Sequence, residues 1–167
     1  VSDPISHGVW NPDRTPEDFA GRYHDLVLEQ YKLYVEMADR ISARRSLTNS
    51  FFLTLNTSAF TVIGLVLQLR PGRGVWTLIF PTVALVVQCG AWYFLLRSYR
   101  QLNAAKYRVV GELEERLPAS PYWRAEWAAL GHGRDRTLYT PITHLEQWVP
   151  VVFAITYVVT YVVAVLL

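Results

Sequence analysis

The sequence predicts an all-α integral membrane protein with three transmembrane helices, the first two an antiparallel hairpin extended into long cytoplasmic helices. Three observations carry this prediction: three long apolar blocks without a charged residue, a five-residue turn between the first two, and apolar residues at helical spacing that continue beyond both. The blocks run over residues 47–69, 75–96 and 149–167. Each is about 19 to 23 residues long, enough at 1.5 Å per residue to cross a hydrocarbon core roughly 30 Å thick. Helices are required because each backbone N–H and C=O must be paired where water is absent, and three separate runs cannot close a barrel. The third block is rich in valine but lacks two-residue alternation, so it too reads as helix.

Taken in order, residues 1–15 read as an N-terminal tail. The opening Val1-Ser2-Asp3-Pro4 lacks the basic-then-apolar pattern of a secretory signal peptide, and without an initiating Met further upstream residues are expected. Thr15-Pro16-Glu17-Asp18 pairs a cap with an N1 proline and first-turn acid, so a cytoplasmic amphipathic helix is expected over 16–46. Its apolar stripe is read as Phe19, Tyr23, Leu26, Gln30, Leu33, Met37 and Ile41, continuing into the first span. Residues 70–74, Arg-Pro-Gly-Arg-Gly, form the external turn. After the second span, Leu102, Ala105, Val109, Leu113 and Leu117 prolong an apolar stripe until Pro118. Glu29, Lys32, Glu36, Glu112 and Glu115 read as its solvated charges.

Within the cytoplasmic segment 97–148, Ser120-Pro121 starts a short helix through Trp123, Trp127 and Leu130 to Gly131, either an interfacial element or packing against the long helices. Gly131 to Pro141 reads as a polar loop, and Thr143-His144-Leu145-Glu146 as a capping box for the last helix, with a kink expected at Pro150. Pro81 is likewise expected to kink the second span. Arg40, Arg44 and Arg45 before the first span, and Arg97, Arg100, Lys106 and Arg108 after the second, outnumber the two arginines of the turn. The N-terminus is therefore expected in the cytoplasm and the C-terminus outside. Trp76, Trp92, Tyr93, Tyr99 and Trp148 fit interfacial aromatic belts.

Composition excludes several classes of function. A net charge of +2 without a basic face argues against nucleic-acid binding. The single cysteine, Cys89, allows neither an intramolecular disulfide nor a cysteine zinc cluster, and reads as a small packing residue. His7, His24, His132 and His144 are isolated, and the glycine-rich pieces lack the lysine of a phosphate loop. Glu114 beside Glu115, and Asp135 near His132, read as ordinary solvated charges. No catalytic residue, metal ligand or cofactor is expected. The reading from another class is a membrane-bound enzyme or sensor with its site in 118–147, using His132, Asp135 or His144.

The more informative pattern is intramembrane. Ser50, Thr54, Thr57, Thr61 and Gln68 fall on one stripe of the first span with Gly64 beside it, and Asn49 and Asn56 mark a neighbouring stripe. Helix packing explains small hydroxyl residues; the sharper expectation is a water-filled pathway shared among subunits. Thr156, Thr160 and Ala164 repeat at four-residue spacing as an oligomer-packing face, and Arg44 and Arg45 are candidates for anionic-lipid contact.

Residues 37–45, Met-Ala-Asp-Arg-Ile-Ser-Ala-Arg-Arg, followed by Asn49-Ser50-Phe51-Phe52-Leu53 and Leu55-Asn56-Thr57, resemble the bacterial RipA family of octameric membrane proteins. Ala105-Lys106-Tyr107, Glu112 to Pro118, Glu126-Trp127 with Leu130-Gly131, and Tyr139 to Pro150 extend the likeness over nearly the whole chain from Tyr23. The resemblance implies a homo-octamer in the bacterial inner membrane with no assigned enzymatic activity, and it transfers no site residue. The architecture is also similar to two-span membrane effectors of bacterial conflict systems. The expected partners are membrane lipids and further copies of the chain, in a non-enzymatic ring with a structural or channel-like role.

Overall fold

A computed structural model describes residues 4–69, 75–135, 137–139 and 142–166 of the protein. The expected external turn 70–74 and the side chains of Thr143 and His144 lie outside the described residues. The chain is 86% helical, with no strand among the described residues and three helices long and apolar enough to cross a bilayer. The helices are α1 (Pro4–Val9), α2 (Tyr23–Leu69), α3 (Ile79–Glu114), α4 (Trp127–Ala129) and α5 (Ile142–Leu166). They distribute into two compact units, the first of Val1–Ala43 and Arg100–Pro141, the second of Arg44–Tyr99 and Ile142–Leu167. Both α2 and α3 contribute to each.

The helix expected from Thr15 is broken. Pro16–Phe19 forms one 3₁₀ turn, held by Thr15 N–H donating to Asp18 Oδ2 at 2.8 Å, so the capping chemistry is present. Ala20 and Gly21 then adopt left-handed backbone at φ 48° and 82°, and α2 starts only at Tyr23. Gly21 bears this conformation without a Cβ clash and stops the turn from propagating into α2. From Tyr23 the helix runs unbroken for 47 residues, as expected from a stretch whose one breaker residue is Gly64.

In the first unit the packed face of α2 differs from the apolar stripe read in sequence. Val27 and Ala38 are buried, whereas Leu33 is 56% and Met37 37% exposed. The seam runs Val27, Tyr31, Tyr34, Ala38 and Ser42, one step round from the expected line. Opposite it on α3 lie Asn103, Lys106, Val110, Leu113 and Glu114, while Leu102 and Ala105 are exposed. The reason is chemical. The seam is closed by polar and aromatic contacts: Asn103 Nδ2 donates to Ser42 Oγ at 3.3 Å, Lys106 Nζ sits 4.8 Å from the Tyr34 ring centre, and Tyr31 bonds to Glu114. Apolar periodicity marked a neighbouring face.

At the end of α3 the helix tightens into 3₁₀ turns at Glu114 rather than at Pro118, with Arg116 and Leu117 N–H bonding three residues back. Ser120-Pro121 does start a helical segment, but it is wound as a π turn over Pro121–Glu126 before the short α4. It lies back on α3: the Tyr107 and Tyr122 rings stack at 4.7 Å, and Trp123 covers Gly111 so closely that a Cβ there would come within 2.9 Å of the indole. Gly111 is therefore required by close approach. At the other edge, the Arg116 guanidinium lies 3.5 Å from the centre of the Trp10 ring and bonds to the Tyr23 hydroxyl.

The second unit packs α2, α3 and α5 around Cys89, Trp92, Leu96, Pro150 and Tyr157. Trp92, expected in an interfacial belt, is instead fully buried, stacked on Phe52 at 5.6 Å and near Phe153 at 6.2 Å. Its position four residues from Leu96 and three from Cys89 puts it on the seam, and an indole there supplies bulk that an interface position would not use. Trp76 and Trp148 are 73% and 65% exposed, as belt residues would be. Pro81 lies in the first turn of α3, where a missing N–H breaks no helical bond, so the expected kink has no cause. Pro150 does fall inside α5, buried, and removes the bond its N–H would have made to the Glu146 carbonyl.

Candidate functional site

The polar centre of the membrane unit is Asn56. It is completely buried, and its contacts reach three helices: Nδ2 donates to the Phe52 carbonyl at 2.8 Å, and Oδ1 accepts from Cys89 Sγ at 3.4 Å. The Tyr157 hydroxyl lies 3.1 Å from Oδ1 and 2.9 Å from the Asn56 carbonyl oxygen. An amide in an apolar bundle is costly unless every group is bonded, and here α3 and α5 supply the partners. Asn56, placed in sequence on a stripe beside the hydroxyl residues, thus cross-links the three spans of one protomer. Cys89 is buried and serves as its donor. Asn49, seven residues earlier, is half-buried.

The hydroxyl stripe faces elsewhere. Ser50, Thr54, Thr57, Thr61 and Gln68 are all exposed on the protomer, on the side of α2 away from Asn56, and Gly64 is exposed with them. Thr57 Oγ1 donates to the Leu53 carbonyl at 2.8 Å and Thr61 Oγ1 to the Thr57 carbonyl at 3.0 Å, which satisfies both hydroxyls within the helix. On α5, Thr156 Oγ1 donates to the Val152 carbonyl at 2.8 Å. Thr160 and Ala164 line a narrow crevice with Ile63, Leu67, Pro81 and Tyr161.

The two arginines separate. Arg44 is exposed, whereas Arg45 is half-buried with Nε 3.5 Å from Glu146 Oε2, an ion pair between the start of the first span and the start of the third. Sequence reading missed Glu146 as its partner because the two are a hundred residues apart and nothing local marks the pair.

Outside the spans, Glu114 is a second centre that sequence reading placed among solvated charges. It is 1% exposed. Oε1 accepts from the Tyr31 hydroxyl at 2.9 Å and from Tyr122 N–H at 3.2 Å; Oε2 accepts from Ser120 Oγ at 2.7 Å and from Trp123 N–H at 2.8 Å. All four partners are donors, and an ionised carboxylate is an acceptor only. Two donors are the free N–H groups at the start of the π turn, so Glu114 caps that segment and ties it to α2 and α3 at once. Burial, then the hydrogen bond to Glu114, push the Tyr31 phenol up to about 12. The signal that could have located Glu114 is its spacing of four and seven residues from Val110 and Tyr107 on the packed side of α3.

The residues of the enzyme or sensor reading lie differently. Asp135 Oδ1 accepts from Thr137 N–H at 2.8 Å and from Thr137 Oγ1 at 2.6 Å, and these bonds hold its carboxyl below the usual range. His132 is exposed on left-handed backbone at φ 52°, edge-on to Trp127 at 6.4 Å. Among the described residues no group of histidine, cysteine and acidic side chains could hold a metal ion.

Three long apolar helices, a polar cross-link buried among them and a hydroxyl stripe turned outward define a polytopic helical membrane protein. Residues 28–166 match the Octameric membrane protein family (8xMP), and the chain belongs to that family, whose name implies self-assembly in a membrane. Neither a curated protein nor a solved structure matches the chain.

Proposed function

We propose that the protein forms a non-enzymatic homo-octameric ring in the bacterial inner membrane, with a structural or pore-like role, its N-terminus in the cytoplasm and its C-terminus outside. Membership of an octameric family supports the copy number. The observation that carries the reading is the outward stripe Ser50, Thr54, Thr57, Thr61 and Gln68. Thr57 and Thr61 keep their hydroxyls bonded within the helix, but the small side chains of the stripe let a second helix approach closely, and exposed Gln68 calls for another subunit or for water. One copy supplies too few spans to enclose a path by itself. Exposed Arg44 is the residue of the arginine pair suited to anionic lipid, since Arg45 is engaged with Glu146. Imaging the particle purified in detergent should show eight copies around one axis, and ion flux into liposomes should fall when Thr57 and Thr61 are changed to leucine. A monomeric particle sinks the assembly. A ring without flux leaves the scaffold role and removes the pore.

A further inference from the structure

We propose that the extramembrane unit of one copy docks on the next through the outer face of α2 against the outer face of α3, in a register fixed by two ion pairs, Glu36 with the neighbour's Arg108 and Lys32 with the neighbour's Glu112. This rests on the assembly reading above and names its contact surface. At about 100° per residue, Glu36 lies roughly 200° round α2 from buried Ala38, and Arg108 roughly 200° round α3 from buried Val110. The two faces therefore point away from each other within one protomer. That is the arrangement a closed ring needs, since each copy must offer two different surfaces.

The levels agree as well. Tyr31 bonds to Glu114 and Ser42 to Asn103, so along the antiparallel pair each step up α2 matches one step down α3. That register sets Lys32 level with Leu113 and Glu36 level with Val109, so Glu112 and Arg108 each stand within one residue, about 1.5 Å of rise, of the level of their proposed partners. Rotation about a ring axis parallel to the hairpin involves no translation, so residues at one level meet. Both meetings then bring opposite charges together; a shift by one helical turn would set Glu36 against Glu112.

The surroundings suit the contact. Lys32, Glu36 and Arg108 are exposed, and Glu36 is held on the surface by an exposed pair with Arg40 at 2.6 Å. Arg108 and Glu112 line a hollow with Gly111, Glu115 and Trp123; Arg124 already engages both Glu115 oxygens, which leaves the Glu112 carboxylate beside the indole for an incoming ammonium group. Beside the charges, exposed Leu33 and Met37 on α2 can cover the small, exposed Ala104 and Ala105 on α3.

Charge reversal tests this. With like charges set across the contact, Glu36→Arg or Arg108→Glu alone is expected to reduce the octamer by at least about tenfold in native mass spectrometry of the detergent-solubilised protein. The swap E36R/R108E should restore it. Independently, E36C/R108C oxidised in membranes should give a ladder of cross-linked copies, because the two positions face apart within one chain and Cys89 is buried. Reversals that leave the octamer intact, a swap that fails to restore what the single changes lose, or the absence of a ladder each overturn the face assignment while the octamer stands. A wild-type protein that is monomeric in membranes overturns the assembly itself.

Discussion

The two units are each organised by one buried polar side chain, and the two centres solve the same problem with different chemistry. Glu114 gathers four donors, two of them backbone N–H groups. Asn56 is neutral, bonds to its own helix and receives one hydroxyl and one thiol. The difference follows from the surroundings. Outside the spans a loop can turn its free N–H groups onto a carboxylate; between apolar spans all backbone donors are already used by their helices, and an uncompensated charge would cost several kcal/mol. A carboxylate suits the first place and an amide the second.

The largest expected effect breaks the first centre. Glu114→Ala leaves the N–H groups of Tyr122 and Trp123 without their partner at about 1–3 kcal/mol each. Hydrogen exchange should show amides of 120–130 losing protection while those of 150–165 keep theirs; equal loss in both would mean that the units are not separately organised. A smaller effect is expected at the second centre. Asn56→Leu removes the side-chain acceptor but leaves Tyr157 its bond to the residue-56 carbonyl, and hydrogen bonds between membrane helices are worth about 0.6–1.7 kcal/mol. Thermal unfolding in detergent should shift downward less for Asn56→Leu than for Glu114→Ala, and the reverse order would remove the contrast drawn between the two centres.

How much of this could be read from the sequence differs between the same two regions. The spans were legible because lipid imposes a composition: a chain that folds in water rarely carries so long an uncharged run, and all three stand in the structure. That both helices continue beyond the spans was legible, but where they start and stop and which face they pack were not. Its seam is built from Tyr31, Tyr34, Ser42, Asn103, Lys106 and Glu114, residues that ordinarily point to solvent, whereas Leu33, Met37 and Leu102 are left exposed. Hydrophobic periodicity assumes that apolar means inside, and that assumption fails when polar partners are satisfied across the interface. Trp92 shows the converse within the spans, where both lipid and core accept an indole and position near a span end is a weak guide. Break points such as Ala20 were not legible, since nothing in an alanine announces a left-handed backbone.

The smallest effect sharpens the account of Glu114. Tyr31→Phe keeps the ring in the seam and removes one of four donors, so a loss of about 1 kcal/mol is expected near neutral pH, well below that of Glu114→Ala. The pH dependence has a definite sign. The phenol is raised from 10 to about 12 in the folded protein, so folding favours its protonated form. Its contribution is complete below pH 10 and disappears as pH rises through 10 to about 12, where the folded phenol itself ionises beside Glu114. Wild type should therefore lose stability across that window more steeply than the phenylalanine variant, and ultraviolet difference titration should show one slow phenolate missing from the variant. Parallel stability curves between about pH 9 and 12 would mean that the Tyr31 hydroxyl does not donate to Glu114, leaving the carboxylate to the π turn alone.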